Sequence, residues 1–321
     1  MPDTKSPLTR LQRSELAVPA TSEHFFTRAA ACATDSIFLD LEDAIAPQQK
    51  DLAREMAVHA LNEVDWGDKQ MAVRVNPLDT PWAHRDIIEI VSRCPRLDVV
   101  LLPKTNSAFD VRFVDQLVTG LEREISRDRP VAIETLIETA KGLACVEEIA
   151  ASSPRLQAMS FGVGDYTVDM RTYDRVFGRP STRYAMPGPR GEAFLNDQWH
   201  FALARVANAC RANGLRPIDG PYTEFRDPEG YRAAALRAAA LGFEGKWAIH
   251  PSQIDLANEV FSPHDDEVGW ANDVLAAMGR SNAEGKGAIA VDGVLVDMAH
   301  VKMANLILER AALKPSASAH R

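Results

Sequence analysis

The sequence predicts an α/β protein, specifically a TIM (β/α)8 barrel with a C-terminal helical and hairpin lid. Three observations carry this. Short apolar, β-rich runs alternate with amphipathic helical stretches, the runs number eight, and nearly every one ends on a polar or charged residue. Eight such units within the first 261 residues match the size of a single barrel, about 250 residues. Counting strands does not establish closure, so an open doubly wound sheet is the alternative.

The predicted strands are 15–19, 36–41, 71–75, 99–103, 131–137, 157–162, 215–219 and 245–249. Most are rich in Val, Ile, Leu or Phe, as strands covered on both faces require. Between them, 48–64, 109–126, 142–151, 198–213 and 227–241 place apolar residues at helical spacing. The connection after the sixth strand is much longer than the others and carries Arg171, Arg175, Arg179, Arg183, Arg190, Pro187, Pro189 and Gly191, which suggests an active-site loop. The expected domains are a catalytic barrel over 1–261, a separate lid or docking element over 262–313, and a disordered tail at 314–321. Within the lid the pattern predicts a helix over 265–278, a Gly-rich joint at 284–287, a hairpin, and a helix over 298–313. The hairpin strands, 288–291 and 294–296, flank Asp292-Gly293, a dipeptide suited to a type I′ turn.

Composition excludes several classes of function. The chain has 321 residues, 46% hydrophobic, enough for a large buried core. Its net charge of -9 disfavours nucleic acid or an anionic membrane as the main partner. Cys32, Cys94, Cys145 and Cys210 show no CxxC or Cys/His spacing, so reduced packing thiols are expected rather than disulfides or zinc. Residues 1–13 contain no signal-type apolar segment and no stretch approaches bilayer length, which makes the cytoplasm the expected location.

The strand ends supply the chemistry. Barrel active sites lie at the carboxyl ends of the strands. Those ends read Asp40, Glu42 and Asp43; Arg74 and Asn76; Lys104; Glu134 and Glu138; Asp165; Asp219; and His250. Singly, each has a structural explanation as an ion-pair partner, a cap or a satisfied polar residue. Glu138 and Asp165 stand out because two carboxylates with waters and substrate oxygens suit a hard cation, Mg²⁺ or Mn²⁺, with no His or Cys required. On that basis Glu42, Asp43 and Glu134 accept from Arg74, Lys104 or metal-bound water, and Arg74 also faces substrate oxygens. The chemistry this favours is stabilisation of negative charge on a carbonyl-derived oxygen while a carbon–carbon bond forms or breaks. A Schiff base on Lys104 is the alternative, disfavoured because neighbouring acids keep a lysine protonated.

Several motifs together carry a family resemblance. They are Arg13-Ser-Glu-Leu-Ala-Val-Pro19, Ile37-Phe-Leu-Asp-Leu-Glu-Asp-Ala44, Val73-Arg-Val-Asn76, Leu102-Pro-Lys104, Leu136-Ile-Glu-Thr139, Ser160-Phe-Gly-Val-Gly-Asp165, Asp219-Gly-Pro221 and Gly245-Lys-Trp-Ala-Ile-His-Pro251. On these the chain resembles the citrate lyase β-subunit-like family, from about residue 13 to residue 312. The resemblance implies a TIM barrel and Mg²⁺-dependent reversible cleavage of a 3-hydroxyacyl-CoA, of malyl-CoA or β-methylmalyl-CoA type, to an acyl-CoA and glyoxylate. It implies Mg²⁺ on Glu138 and Asp165, Arg74 at the thioester or enolate oxygen, and Gly164 with Asp165 at the glyoxylate part. Ala17, Arg28, Ile249 and His250 would line the path of CoA. Asp297 would be a general acid/base supplied by the lid of a neighbouring subunit in a homo-oligomer, a trimer or hexamer. From the residues alone, Asp297 is equally the N-cap of the last helix.

The chain departs from the family pattern at Ala20-Thr21, where Gly-Ser or Gly-Asn is usual. It also departs at 166–170, Tyr-Thr-Val-Asp-Met in place of a small-residue run, and at Thr223-Glu224 in place of Gly-Asp. These differences leave open a related acyl-CoA, citramalyl-CoA among them, or thioester hydrolysis on the same scaffold. A non-enzymatic role as a carrier-complex subunit is the third possibility.

Overall fold

The computed structural model describes residues 10–283, 289–291 and 293–314. Its first elements are β1 (Ser14–Pro19), α1 (Glu23–Ala30), β2 (Ser36–Asp40), α2 (Lys50–Glu63), β3 (Gln70–Arg74), α3 (Ala83–Arg93), β4 (Val99–Leu102) and α4 (Ala108–Glu124). Next come β5 (Ala132–Ile137), α5 (Ala140–Ala144), α6 (Val146–Ala150), β6 (Leu156–Phe161) and α7 (Val163–Asp169). A short antiparallel pair follows, β7 (Ala185–Pro187) and β8 (Ala193–Leu195), and then α8 (His200–Ala212), β9 (Arg216–Asp219), α9 (Pro228–Ala240), β10 (Gly245–Ala248) and α10 (Ile254–Val260).

The sheet closes in the order β1-β10-β9-β6-β5-β4-β3-β2, with every pairing in the barrel parallel. The barrel alternative is therefore the one realised, and its eight strands fall within a residue or so of the predicted runs. The β1–β10 pairing closes the sheet, and the two-residue side-chain period then sorts side chains inward and outward. Phe38, Ala72, Leu101, Leu136, Ile218 and Trp247 point into one interior core, and the intervening residues pack under the helices.

Several predicted elements change on folding. The stretch 142–151 becomes two short helices, α5 and α6, that meet at Cys145. Helices α1 and α3 were not foreseen in the sequence, and the long connection contains the β7/β8 hairpin. Asp165 does not follow a strand directly: β6 stops at Phe161 and Asp165 lies in the first turn of α7. The four cysteines are free thiols, Cys94 and Cys210 buried. Among the described residues, no helix is long and apolar enough to cross a membrane.

Backbone contacts divide the chain into two compact units, Gln12–Asn258 and a second one that takes in the residues from Glu259 onward. The second contains α11 (Asp265–Ala283), β11 (Ile289–Val291), β12 (Val294–Val296) and α12 (Met298–Ala312). Its own small core includes Ala271, Val274, Met278, Val296 and Ala304. β11 and β12 pair antiparallel, and Gly293 between them has φ of 79°, the left-handed conformation a tight hairpin demands. The predicted joint at 284–287, Asp292 and the tail beyond Lys314 lie outside the described residues.

Candidate active site

A cavity of about 480 Å³ opens at the carboxyl end of the barrel. Glu138 sits one residue past β5, on the same face as Leu136, and is 2% exposed. Its Oε1 accepts the backbone N–H of Lys104 at 2.6 Å. Lys104 follows β4 with φ of 48°, an unusual conformation for a lysine that turns its N–H towards the carboxylate. Gly162 closes the other side, since a methyl group there would come within 2.4 Å of Glu138 Oε2.

Two cations balance the acids. Arg74, at the end of β3, is 9% exposed; its Nε and Nη2 donate to the two Asp40 oxygens at 2.7 Å each, and Nη1 lies 2.9 Å from Glu42 Oε2. Its guanidinium carbon stands 5.6 Å from the centroids of both the Phe38 and Trp247 rings, within cation–π range of each. Breaking the buried Asp40 pair would leave an uncompensated charge, at a cost of about 3–5 kcal/mol. An arginine has about five N–H donors, so some remain for a ligand in the cavity that Arg74 lines. Lys104 Nζ pairs with Glu42, lies 3.4 Å from Asp165 Oδ2 and stands 3.7 Å from Asp43 Oδ1.

Burial and charge set the protonation states. Burial raises Glu138, and the nearby Glu42 and Asp165 raise it further, to about 8, against the pull of Lys104 and Arg74. Glu42 is also raised, by burial first. Asp40 is held low because Arg74 outweighs its burial. Burial alone would lower Lys104, but Glu42, Glu138 and Asp43 hold it firmly protonated, which removes the free amine that a Schiff base requires.

The donor set fits a hard divalent cation. Glu138 is an all-oxygen donor that stays protonated to about pH 8 unless positive charge is brought to it, and Asp165 is close enough to add to that repulsion. Among the described residues, no group of three or more His, Cys, Asp or Glu is placed to hold a metal ion. Two carboxylates suit an ion that keeps several waters, and not one that demands a full protein cage.

The remaining candidate residues divide. Ala17, Asp43, Gly164, Asp165 and Ile249 line the cavity together with Arg74 and Glu138, and Glu42 and Lys104 stand directly behind as ion-pair partners. Arg28 is exposed on α1 beside His24, and His250 is exposed, stacked on Phe225 at 4.9 Å with Nδ1 accepting the Ser252 N–H; neither lines the cavity. Asp297, in the second unit, caps α12 by accepting the Ala299 N–H at 2.9 Å and is hydrogen-bonded to His300, which holds its carboxyl below the usual range.

Three strand-end residues expected at the site are structural. Glu134 lies fully buried deeper in the barrel, accepting from Gln12 at 3.0 Å and Ser160 at 2.5 Å, two side-chain periods below Glu138 on the same strand face. Asp219 pairs with the buried Lys246 at 2.5 Å. Asn76 donates to the buried Asp86 at 2.6 Å. Conversely, Asp40 was part of the predicted acidic motif, yet only the fold shows it gripping Arg74. Val168, Phe177 and Thr223 line the cavity from segments with no strand-end signal.

A closed parallel barrel with an acid-lined cavity at its carboxyl end, charge-balanced by one buried arginine and one lysine, defines an enzyme of the TIM-barrel class. The chain belongs to the HpcH/HpaI aldolase/citrate lyase family, which matches residues 13–251. It is 45% identical over 308 residues, 96% of either chain, to L-malyl-CoA/β-methylmalyl-CoA lyase of Cereibacter sphaeroides. It is 36% identical to the malyl-CoA/β-methylmalyl-CoA/citramalyl-CoA lyase of Chloroflexus aurantiacus, over 85% of this chain and 80% of that one. Among solved structures it is similar to CitE of Mycobacterium tuberculosis in complex with magnesium, acetoacetate and coenzyme A, with a TM-score of 0.72 and 29% identity over 96% of this chain and 99% of that one.

Proposed function

We propose that this chain is a carbon–carbon lyase that reversibly cleaves malyl-CoA or β-methylmalyl-CoA to acetyl-CoA or propionyl-CoA and glyoxylate. What supports this most is the pairing of a buried, charge-starved Glu138 with a pinned Arg74 across one cavity, in a chain 45% identical over nearly its whole length to lyases of that name. Glu138 and Asp165 would hold Mg²⁺, or Mn²⁺ in its place. The cation supplies Lewis-acid polarisation of the 2-oxo acid carbonyl.

In the cleavage direction, the substrate hydroxyl loses its proton to a general base and the bond between the hydroxyl-bearing carbon and the carbon next to the thioester breaks. The electron pair passes to the thioester carbonyl as an enolate, which is then protonated on carbon. Arg74 donates to the developing enolate oxygen from a position that Asp40, Glu42 and two aromatic rings hold in advance, so little reorganisation accompanies the charge shift. Lys104 pairs with Glu42 and stands beside Asp165, and these acids hold it protonated, so it offers no free amine for covalent chemistry. Ala17 and Ile249 border the cavity where the thioester arm would enter, with Arg28 and His250 further out along the CoA chain. Asp297 is the general acid/base in this scheme, brought by the lid of a neighbouring subunit in a homo-oligomer, trimer or hexamer, acting in the cytoplasm.

A product-resolved assay tests the function. Malyl-CoA, β-methylmalyl-CoA and citramalyl-CoA, each supplied with Mg²⁺, should release equal amounts of oxo acid and acyl-CoA from the preferred substrate. Free CoA thiol with no glyoxylate would instead make the chain a thioesterase.

A further inference from the structure

Two of the departures from the family pattern, Val168 and Thr223, are 55 positions apart, yet both line the same cavity. Between them stands Phe177, from the long connection after β6. Its backbone is clamped to the segment after β9: the Phe177 N–H donates to Thr223 Oγ1 at 2.9 Å, and the Thr223 N–H donates to the Phe177 carbonyl at 3.2 Å. Gly178 extends the clamp. Its φ is 90°, a methyl there would come within 2.7 Å of the Pro221 carbonyl, and its own carbonyl accepts from Arg237 at 3.0 Å. An aromatic side chain on a long loop is thereby fixed at both flanks.

The ring lies over Gly164. A methyl group on Gly164 would stand 3.3 Å from the ring, tighter than ordinary van der Waals contact. Val168 sits one helical turn further along α7, on the same face as Gly164 and Asp165, and is 65% exposed towards the open space. The wall is apolar and offers no donor, so it presents shape and not hydrogen bonds to whatever binds beside Asp165.

We infer that Phe177, held by Thr223, is a specificity-determining wall that restricts the 2-oxo acid to one with hydrogen on its carbonyl carbon, glyoxylate, and excludes the methyl-bearing pyruvate of citramalyl-CoA. This rests on the lyase reading, which places the oxo acid next to Asp165. The Phe177 ring fills the space directly over Gly164, next to Asp165, and the loop cannot retreat without breaking both Thr223 hydrogen bonds. Thr223 acts through Phe177 and is a positioning residue. Discrimination of a single methyl by an apolar wall falls within about 10–200-fold.

The test compares kcat/KM for citramalyl-CoA and malyl-CoA in wild type, Phe177→Ala, Phe177→Leu, Thr223→Gly and Thr223→Ser. It also includes calorimetric affinities for pyruvate and glyoxylate with MgCl₂ present. Phe177→Ala should raise the citramalyl-to-malyl ratio by roughly tenfold or more. Thr223→Gly should move it the same way by less, and Thr223→Ser, which keeps the hydroxyl, should retain the wild-type ratio. Pyruvate should gain affinity relative to glyoxylate in Phe177→Ala. If Phe177→Ala does not fold, Phe177→Leu and Thr223→Gly carry the same expectation. A wild type that cleaves both thioesters equally well, or ratios and affinities unchanged in folded variants, would overturn the wall and leave the lyase function standing. A wild type that cleaves neither thioester overturns both.

Discussion

Individual residues here are governed by how charge is buried. Arg74→Lys retains a positive charge but loses the planar fork that meets both Asp40 oxygens, and a lysine's compact ammonium cannot also hold its place over Phe38 and Trp247. It should lower kcat by roughly two orders of magnitude, the scale of a lost oxyanion donor, with little change in CoA affinity; steady-state kinetics would show it. Unchanged kcat would leave Arg74 only its structural role. Asp165→Asn keeps shape but loses charge, so Mg²⁺ affinity by calorimetry and activity should fall together. Glu15 offers a test away from the site. It is fully buried on β1, and burial first, then Glu134, raise its pKa well above the ordinary Glu range. The folded state therefore binds a proton that the unfolded state releases, and this contribution to stability is present at low pH and fades as pH rises through the raised pKa. Glu15→Gln removes the titration, so its thermal midpoint should fall less than that of wild type between about pH 5 and about pH 9. Parallel midpoint curves would count against it.

At the scale of elements, the last helix separates two roles that a single aspartate can play. Asp297 caps α12, and asparagine caps as well as aspartate does, whereas alanine does not. Asp297→Asn should keep the thermal midpoint near wild type and, if the residue is the general acid/base, abolish most activity; Asp297→Ala should lower both. An active Asp297→Asn enzyme would reduce Asp297 to a cap. Strands were legible in the sequence because residues buried on both faces read as unbroken apolar runs, and all eight barrel strands were located. Helices α1 and α3 were less legible. Helix α1 has only eight residues and follows its strand after a brief turn, so the pattern of one runs into the next. The end of β6 was misplaced because Gly162 breaks the extended chain just before α7 begins, which carried Asp165 onto a helix.

For the whole molecule, the proposal that the lid acts across subunits predicts that catalysis is a property of the assembly. Asp297→Asn and Asp165→Asn, each nearly inactive alone, should regain partial activity when mixed and reassembled, because some interfaces then join an intact barrel to an intact lid. Mixed oligomers that form, verified by mass, yet stay as inactive as their parents would rule out action in trans. Size-exclusion chromatography with light scattering should first find an oligomer.

What the sequence by itself determined is the set of strands, the acids and cations at their ends, and the family to which those motifs belong. Side-chain period and burial act locally, so they leave a local record. The tertiary structure alone decided which strand ends share a cavity. Glu134 and Glu138 lie on one strand face four residues apart, yet the depth of the barrel assigns one to an interior carboxyl pair and the other to the mouth. Asp219 and Asn76 looked like site residues until Lys246 and Asp86 reached them through space. Phe177, Val168 and Thr223 come together because β6 pairs directly with β9, which brings the connections that follow the two strands side by side. Partners in ion pairs and cavity walls are chosen by distance in the folded chain, and the sequence, though it orders the strands, does not say at what depth in the barrel each side chain meets another.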